Sequence, residues 1–170
     1  MARERRLYDA IVVGAGPGGA TAAACMARYG LRVLLLDRAA FPRDKICGDA
    51  ISGKSVDVLR RLGLLDRLNV AEQLVCGGVT FGGPGGEEVS IPFSRDPHQT
   101  EPTGYICARQ VFDRILFQCA VDSGADVRER AEVTDLIFDE RRVVGIEMRS
   151  GGATESVRAP IIVGADGAYS

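Results

Sequence analysis

The chain has 170 residues and a net charge of −2 at pH 7, with 21 Lys and Arg against 23 Asp and Glu. Its length allows one sizeable core, or one domain with a small appendage, and its slightly acidic balance argues against binding to nucleic acid. No segment approaches the roughly 20 apolar residues of a membrane-spanning helix, and no signal peptide is recognised. We therefore expect a cytoplasmic protein, for which peripheral contact with a membrane stays open.

The first strong signal along the chain is an apolar run that ends in a glycine-rich turn. Residues 7–13 predict a buried parallel strand, and residues 17–29 predict a helix that ends at Gly30. Residues 32–37 predict the next strand, which completes a right-handed βαβ unit.

The turn between this strand and helix has the spacing of a dinucleotide-binding motif. Gly14 permits the tight turn, Gly16 lets the backbone approach a diphosphate, and Gly19 lets the helix pack close to the strand. The phosphates then lie at the amino end of the helix, where N–H groups are free and the helix dipole is positive. Asp37, at the end of the second strand, can accept hydrogen bonds from a ribose hydroxyl. A glycine turn without a nucleotide is the weaker interpretation.

The middle of the chain predicts a loop, a helical region and short strands. Residues 41–53 predict a loop, and residues 52–68 have helical spacing with a break at Gly63. The segments that predict strands with glycine-rich or short connections are 75–81, 87–93 and 104–108.

The last third predicts a helix, a return to the parallel sheet and a β-meander. Residues 110–122 predict a helix that Gly124 stops, and residues 125–130 predict a strand of the parallel sheet. The meander is predicted at 133–138, 143–149 and 155–158, and a last buried strand at 161–163.

A second glycine-acid motif, G-A-D-G, follows the last strand. Ligands of doubly wound sheets gather at the carboxyl ends of strands, so the tips at 14–19 and 164–167 can converge on one extended cofactor. Asp166 can bind a sugar or polyol hydroxyl, and Gly167 leaves room for it. A simple Asp-Gly turn is the alternative.

The five cysteines and the single histidine form no metal-binding pattern. There is no C-x-x-C pair and no HExxH sequence, and the odd number of cysteines fits free thiols in a reducing compartment. We predict no metal site.

Several stretches together carry a resemblance to a known family. They are YDAIVVGAGPGGATAA at 8–23, the Asp37-Arg38 pair, FPRDKICGDAIS at 41–52, ARQVFDRIL at 108–116 and VGADGAYS at 163–170. The chain resembles FAD-dependent oxidoreductases of the para-hydroxybenzoate hydroxylase fold, and most of all the geranylgeranyl reductase family. The R-D-K-x-C-G-D stretch at 43–49 points to that branch.

The resemblance implies an α/β fold with a Rossmann-like FAD-binding domain at 1–73 and 109–170, and part of a substrate-binding β-sheet at 74–108. It implies that Arg109 begins a helix lying along the cofactor, although an ion pair with Asp113 is the alternative. The implied cofactor-binding residues are Gly14, Gly16, Pro17, Gly18, Gly19, Asp37, Arg38, Arg43, Cys47, Gly48, Arg109, Asp166 and Gly167.

The implied activity is reduction of isoprenoid carbon–carbon double bonds by hydride transfer from FAD, with NAD(P)H or another reductant as electron donor and a lipophilic small molecule as substrate. Cys47 and Tyr105 are weak candidates for the proton donor, and Cys47 can equally be an inert buried thiol.

Because the family's pattern continues beyond Gly167, we expect the chain to be the N-terminal part of a larger flavoprotein. The alternatives are an FAD-dependent monooxygenase of aromatic or polyketide-like substrates and a non-catalytic nucleotide-binding fragment. The oligomeric state is not predicted.

Overall fold

A computed structural model describes residues 8–46, 48–71, 73–94, 98 and 102–168. The chain divides into two compact units, one formed by residues up to Arg43 together with those from Asp113 onward, and the other by Asp44–Phe112. In chain order the elements are β1 (Ala10–Val13), α1 (Pro17–Arg28), β2 (Val33–Leu36), β3 (Ala50–Ile51), α2 (Gly53–Leu62), α3 (Leu65–Asn69), β4 (Gln73–Val75), β5 (Gly78–Gly82), β6 (Glu88–Pro92), β7 (Tyr105–Cys107), α4 (Arg109–Asp122), β8 (Asp126–Arg128), β9 (Ala131–Asp139), β10 (Arg142–Ser150), β11 (Ala153–Arg158) and β12 (Ile161–Gly164).

The first unit is built on a parallel sheet with the strand order β12-β1-β2-β8. β1 and β2 are almost wholly apolar and buried, as expected of strands covered on both faces. Helix α1 connects them, which confirms the predicted βαβ unit, and its small residues face the sheet. The predicted strand at 125–130 is also confirmed, since β8 runs parallel to β2.

The predicted β-meander is confirmed as the antiparallel sheet β11-β10-β9. It packs against one face of the parallel sheet, so that side chains from both sheets form one core. The fully or almost fully buried members of this core are Ile11, Leu34, Leu36, Ala131, Ile146, Met148 and Ala159. Hydrophobic burial between the two sheets therefore holds the glycine-rich turn on a rigid base.

The second unit contains α2, α3 and two small antiparallel sheets, with the strand orders β3-β7-β4 and β5-β6. The predicted break in the helical region is confirmed, because Gly63 ends α2 in the left-handed conformation at a φ of 68°. The turn at 83–87 joins β5 and β6 as predicted.

Three predicted elements were wrong in detail. The strand predicted at 75–81 is two strands, because β4 pairs with β7 whereas β5 pairs with β6. The loop predicted at 41–53 contains β3, which is too short to show a period of two in the sequence. The last strand, predicted as buried, is an edge strand that pairs with β1 alone among the described strands, and Ile161 is 49% exposed.

Tyr8 links the start of β1 to β8, and this contact gives the protein an alkaline-sensitive contribution to stability. Its hydroxyl donates to Asp126, and burial together with that contact raises the pKa of Tyr8 above its ordinary value of 10.0. A raised pKa means that folding favours the protonated phenol, so this stabilisation is complete below pH 10 and is lost as the pH rises through the raised pKa. Urea unfolding at a series of alkaline pH values should show a smaller decline for Tyr8→Phe than for the wild type. Equal declines would contradict this prediction.

Within the part of the chain that the structure describes, no helix is long and apolar enough to cross a membrane.

Candidate functional site

The glycine-rich turn between β1 and α1 is shaped by contacts that only glycine permits. Gly14 has a φ of 97°, and a Cβ atom there would lie 2.5 Å from the carbonyl oxygen of Ala165. At Gly19 a Cβ atom would overlap the carbonyl oxygen of Gly14 and lie 3.1 Å from the Cβ of Ala165. These two glycines therefore let the start of α1 close onto the strand ends.

The amino end of α1 offers donors to an anion. Gly16 is the N-cap residue and makes no side-chain capping bond, Pro17 occupies the first turn, and this turn contains no acidic residue. The first N–H groups of a helix have no partner within the helix and lie at the positive end of its dipole. Gly18 is exposed, and a Cβ atom there would meet open space. This turn is therefore open to a ligand as well as electrostatically suited to phosphate.

The second glycine-acid motif lies beside the first. β12 pairs with β1 in parallel with Val13 opposite Gly164, and the N–H of Ala165 donates to the carbonyl of Val13 at 2.7 Å. Asp166 is exposed, and Gly167 has a φ of 104°. The strand tips that the sequence predicted to converge are thus neighbours in the first unit.

Asp37 fastens the turn to the end of β2. Its Oδ2 accepts a hydrogen bond from the N–H of Ala15 at 2.8 Å, and its Oδ1 accepts one from the N–H of Ala39 at the same distance. The side chain is 9% exposed. These bonds hold the carboxylate against the glycine-rich turn, and the predicted contact with a ribose hydroxyl stays a prediction.

Arg43 places a cation at the same turn. Its Nη2 lies 3.3 Å from the position of a Cβ atom on Gly16, 3.7 Å from Oδ2 of Asp37 and 3.8 Å from Oδ2 of Asp113. Its Nε is buried and has no acceptor among the described residues, and both carboxylates lie beyond hydrogen-bond distance of Nη2. The guanidinium therefore keeps donors available although its side chain is only 17% exposed.

Asp113 is the site residue that the sequence did not single out. It had entered only as the alternative ion-pair partner of Arg109, and that pairing stays a prediction. The structure places its fully buried carboxylate beside Arg43. The sequence did contain a sign of this role. Asp113 is an acidic residue at a position of α4 where the spacing of the apolar residues predicts a side chain facing the core. Arg109 itself is half-buried at the start of α4.

The other predicted site residues stay predictions. Arg38 is exposed, Gly48 is exposed and belongs to the second unit, and Cys47 lies outside the described residues. Tyr105, also in the second unit, is 1% exposed, and its hydroxyl donates to Oδ1 of Asn69 at 3.0 Å. Across the described ranges, no group of three or more His, Cys, Asp or Glu is arranged to hold a metal ion.

The geometry of the first unit fits a dinucleotide diphosphate. A glycine-rich turn leads into a helix whose first N–H groups have no partner within the helix, and a buried guanidinium beside it has an unsatisfied Nε. A buried charged donor without an acceptor is costly, so an anionic ligand that accepts from Arg43 would relieve that cost.

Comparisons with known proteins agree with this geometry. The chain is 32% identical over 167 residues to digeranylgeranylglycerophospholipid reductase 1 of Methanococcoides burtonii, covering 96% of this chain. It is 40% identical over 164 residues to the menaquinone reductase of Mycobacterium tuberculosis, covering 95% of this chain. In both cases the chain spans 38% of the length of the curated relative.

Solved structures of flavoproteins share the fold. The myxobacterial chondrochloren halogenase, an FAD-dependent enzyme, superposes with a TM-score of 0.89 and 37% identity over 97% of this chain and 38% of its own. A geranylgeranyl bacteriochlorophyll reductase-like protein of Thermoplasma acidophilum superposes with a TM-score of 0.76 and 27% identity, over 95% of this chain and 40% of its own. The family model described as FAD binding domain matches residues 7–170, and the chain belongs to this family.

Proposed function

We propose that the turn at 14–19 holds the diphosphate of FAD and that this unit serves an oxidoreductase acting on isoprenoid lipids. Gly14, Gly16 and Gly19 shape the turn, while Pro17 and Gly18 begin the helix whose N–H groups bind the phosphates. Arg43 adds a cation there. Asp37, with Arg38 beside it, would hold the adenosine end, and Asp166 and Gly167 the ribityl–diphosphate end. Cys47, Gly48 and Arg109 complete the proposed set of cofactor-binding residues.

The residues of this chain would bind and orient the cofactor. The helix end and Arg43 fix the diphosphate, Asp37 keeps the turn closed through Ala15, and the neighbouring tip at Ala165 supports the turn from the other side. When bound, FAD supplies the hydride-transfer chemistry. The predicted proton donors, Cys47 and Tyr105, stay proposals.

The observation that supports a reductase is the similarity to proteins named digeranylgeranylglycerophospholipid reductase and menaquinone reductase. The identities are 32% and 40%, and in each case the similarity runs over nearly the whole of this chain. Both named substrates are lipophilic. By this argument the substrate carries isoprenoid double bonds, NAD(P)H or another reductant supplies the electrons, and the protein works in the cytoplasm or at a membrane surface.

The test is reduction of a defined lipid. The purified protein is loaded with FAD, reduced with dithionite without oxygen, and mixed with digeranylgeranylglycerophospholipid in detergent micelles. Mass spectrometry should show a gain of hydrogen pairs, one for each double bond reduced. Arg43→Met should bind flavin more weakly and give less product, whereas Asp122→Asn, at the exposed end of α4, should match the wild type in both. FAD binding without any reduced lipid would contradict the reductase proposal and favour a nucleotide-binding role.

A second candidate function is supported by one observation, the superposition on the FAD-dependent chondrochloren halogenase at a TM-score of 0.89 and 37% identity. An enzyme of this kind, or a monooxygenase, would use oxygen. Oxygen consumption that depends on an aromatic substrate or on halide would favour this candidate, whereas double-bond reduction without oxygen favours the reductase.

A further inference from the structure

Asp113 is a buried carboxylate that the proposed binding set does not contain. It lies on α4 and is fully buried, and its Oδ2 is 3.8 Å from Nη2 of Arg43. Burying a carboxylate is expensive unless a cation or hydrogen bonds compensate for the lost water. The contact with Arg43 is one such compensation, and it ties this buried acid to a cation at the glycine-rich turn.

The contacts around Arg43 fix its guanidinium from several sides. Asp37 approaches Nη2 from the end of β2, where two backbone N–H groups already hold its carboxylate. Asp113 approaches the same nitrogen from α4 at nearly the same distance. Two carboxylates on one planar guanidinium restrict its rotation more than one carboxylate can.

An aromatic contact strengthens this arrangement. The ring of Phe41 lies 5.1 Å from Cζ of Arg43 and stacks on Phe117 at a centroid distance of 4.5 Å. Phe117 follows Asp113 by four residues, so both side chains project from the same face of α4. That face thus holds both ends of the segment from Phe41 to Arg43.

We propose that Asp113 is a positioning residue that holds the Arg43 guanidinium beside Gly16, with its free donors available to the cofactor diphosphate. The inference rests on the diphosphate placement proposed above. Neither carboxylate lies within hydrogen-bond distance of Nη2, so the two acids orient Arg43 without using up its donors. A competing effect is repulsion between Asp113 and the phosphates, which would act in the opposite direction.

A double-mutant cycle separates these effects. FAD, ADP and adenosine are titrated into the wild type, Asp113→Asn, Arg43→Met and the double variant. Asp113→Asn should weaken FAD and ADP binding about tenfold, the effect of losing roughly one hydrogen bond to a charged group. Adenosine, which has no phosphate, should bind unchanged. In the Arg43→Met background the same substitution should have no further effect, because Asp113 acts through Arg43.

Other outcomes would overturn the proposal. Unchanged or tighter FAD binding by Asp113→Asn would show that Asp113 does not position Arg43 or that it repels the phosphates. An equal loss in both backgrounds would show that it acts independently of Arg43. Because these titrations need no lipid substrate, a failure of the reductase proposal would leave their result standing.

Two further variants keep the test independent of folding defects. Arg43→Lys keeps a cation beside both carboxylates but lacks the planar guanidinium that they would orient. FAD binding should therefore weaken about tenfold, with little change in the free energy of unfolding. FAD affinity equal to that of the wild type would contradict the proposal. Asp122→Asn makes the same chemical change at the exposed end of α4 and should bind FAD normally.

Discussion

Replacing Gly19 with alanine is expected to lower the free energy of unfolding by about 3 kcal/mol, the upper end of the usual cost of overpacking. The added methyl group would overlap the carbonyl oxygen of Gly14 and lie 3.0 Å from its carbonyl carbon. Both obstacles are backbone atoms of the turn, which cannot move aside as a flexible side chain could. The turn would have to open, so FAD binding should weaken as well. Urea unfolding and flavin titration measure the two effects.

Gly18 provides a matched control one residue away on the same helix. A methyl group there meets open space, and alanine favours a helix interior by up to about 1 kcal/mol relative to glycine. Gly18→Ala should therefore unfold at the same or a slightly higher urea concentration than the wild type. If Gly18→Ala and Gly19→Ala lost similar stability, the close approach between α1 and the strand ends would not be what requires glycine.

Replacing Arg43 with methionine is expected to lower the free energy of unfolding by about 3 kcal/mol, because it leaves the carboxylates of Asp37 and Asp113 buried without their shared cation. Adding Asp113→Asn to this variant should restore part of the loss, since it removes one of the two buried negative charges that Arg43 had neutralised. If Asp113→Asn raises the free energy of unfolding only when Arg43 is absent, the two residues form a stabilising ion pair. Urea unfolding of the protein without added flavin measures it.

A surface ion pair serves as the control for this prediction. Arg149 and Glu132 are 3.2 Å apart, but their side chains are 60% and 52% exposed. Arg149→Met should cost less than about 1 kcal/mol, because water solvates the remaining carboxylate. If Arg43→Met cost no more than Arg149→Met, or if Asp113→Asn failed to restore stability, the buried ion pairs would not have the importance assigned to them.

The elements with strong local signals were predictable from the sequence. The βαβ unit follows from an apolar run, a glycine spacing and an alanine-rich helix, all within a short stretch of chain. The break at Gly63 and the meander are likewise local patterns of glycine and of alternating apolar residues. The predictions that failed depended on remote pairing partners, as for β3 and for the division of 73–82 between two sheets.

The sequence by itself predicted the type of site, because the glycine spacing and the acid after β2 form a dinucleotide-binding pattern within about 30 residues. Only the tertiary structure decided which other residues lie there. The parallel pairing of β12 with β1 brings Ala165 against Gly14, and the packing of α4 brings Asp113 beside Arg43. Both contacts join segments far apart in the chain, and their formation depends on burial of a shared core, which no local pattern specifies.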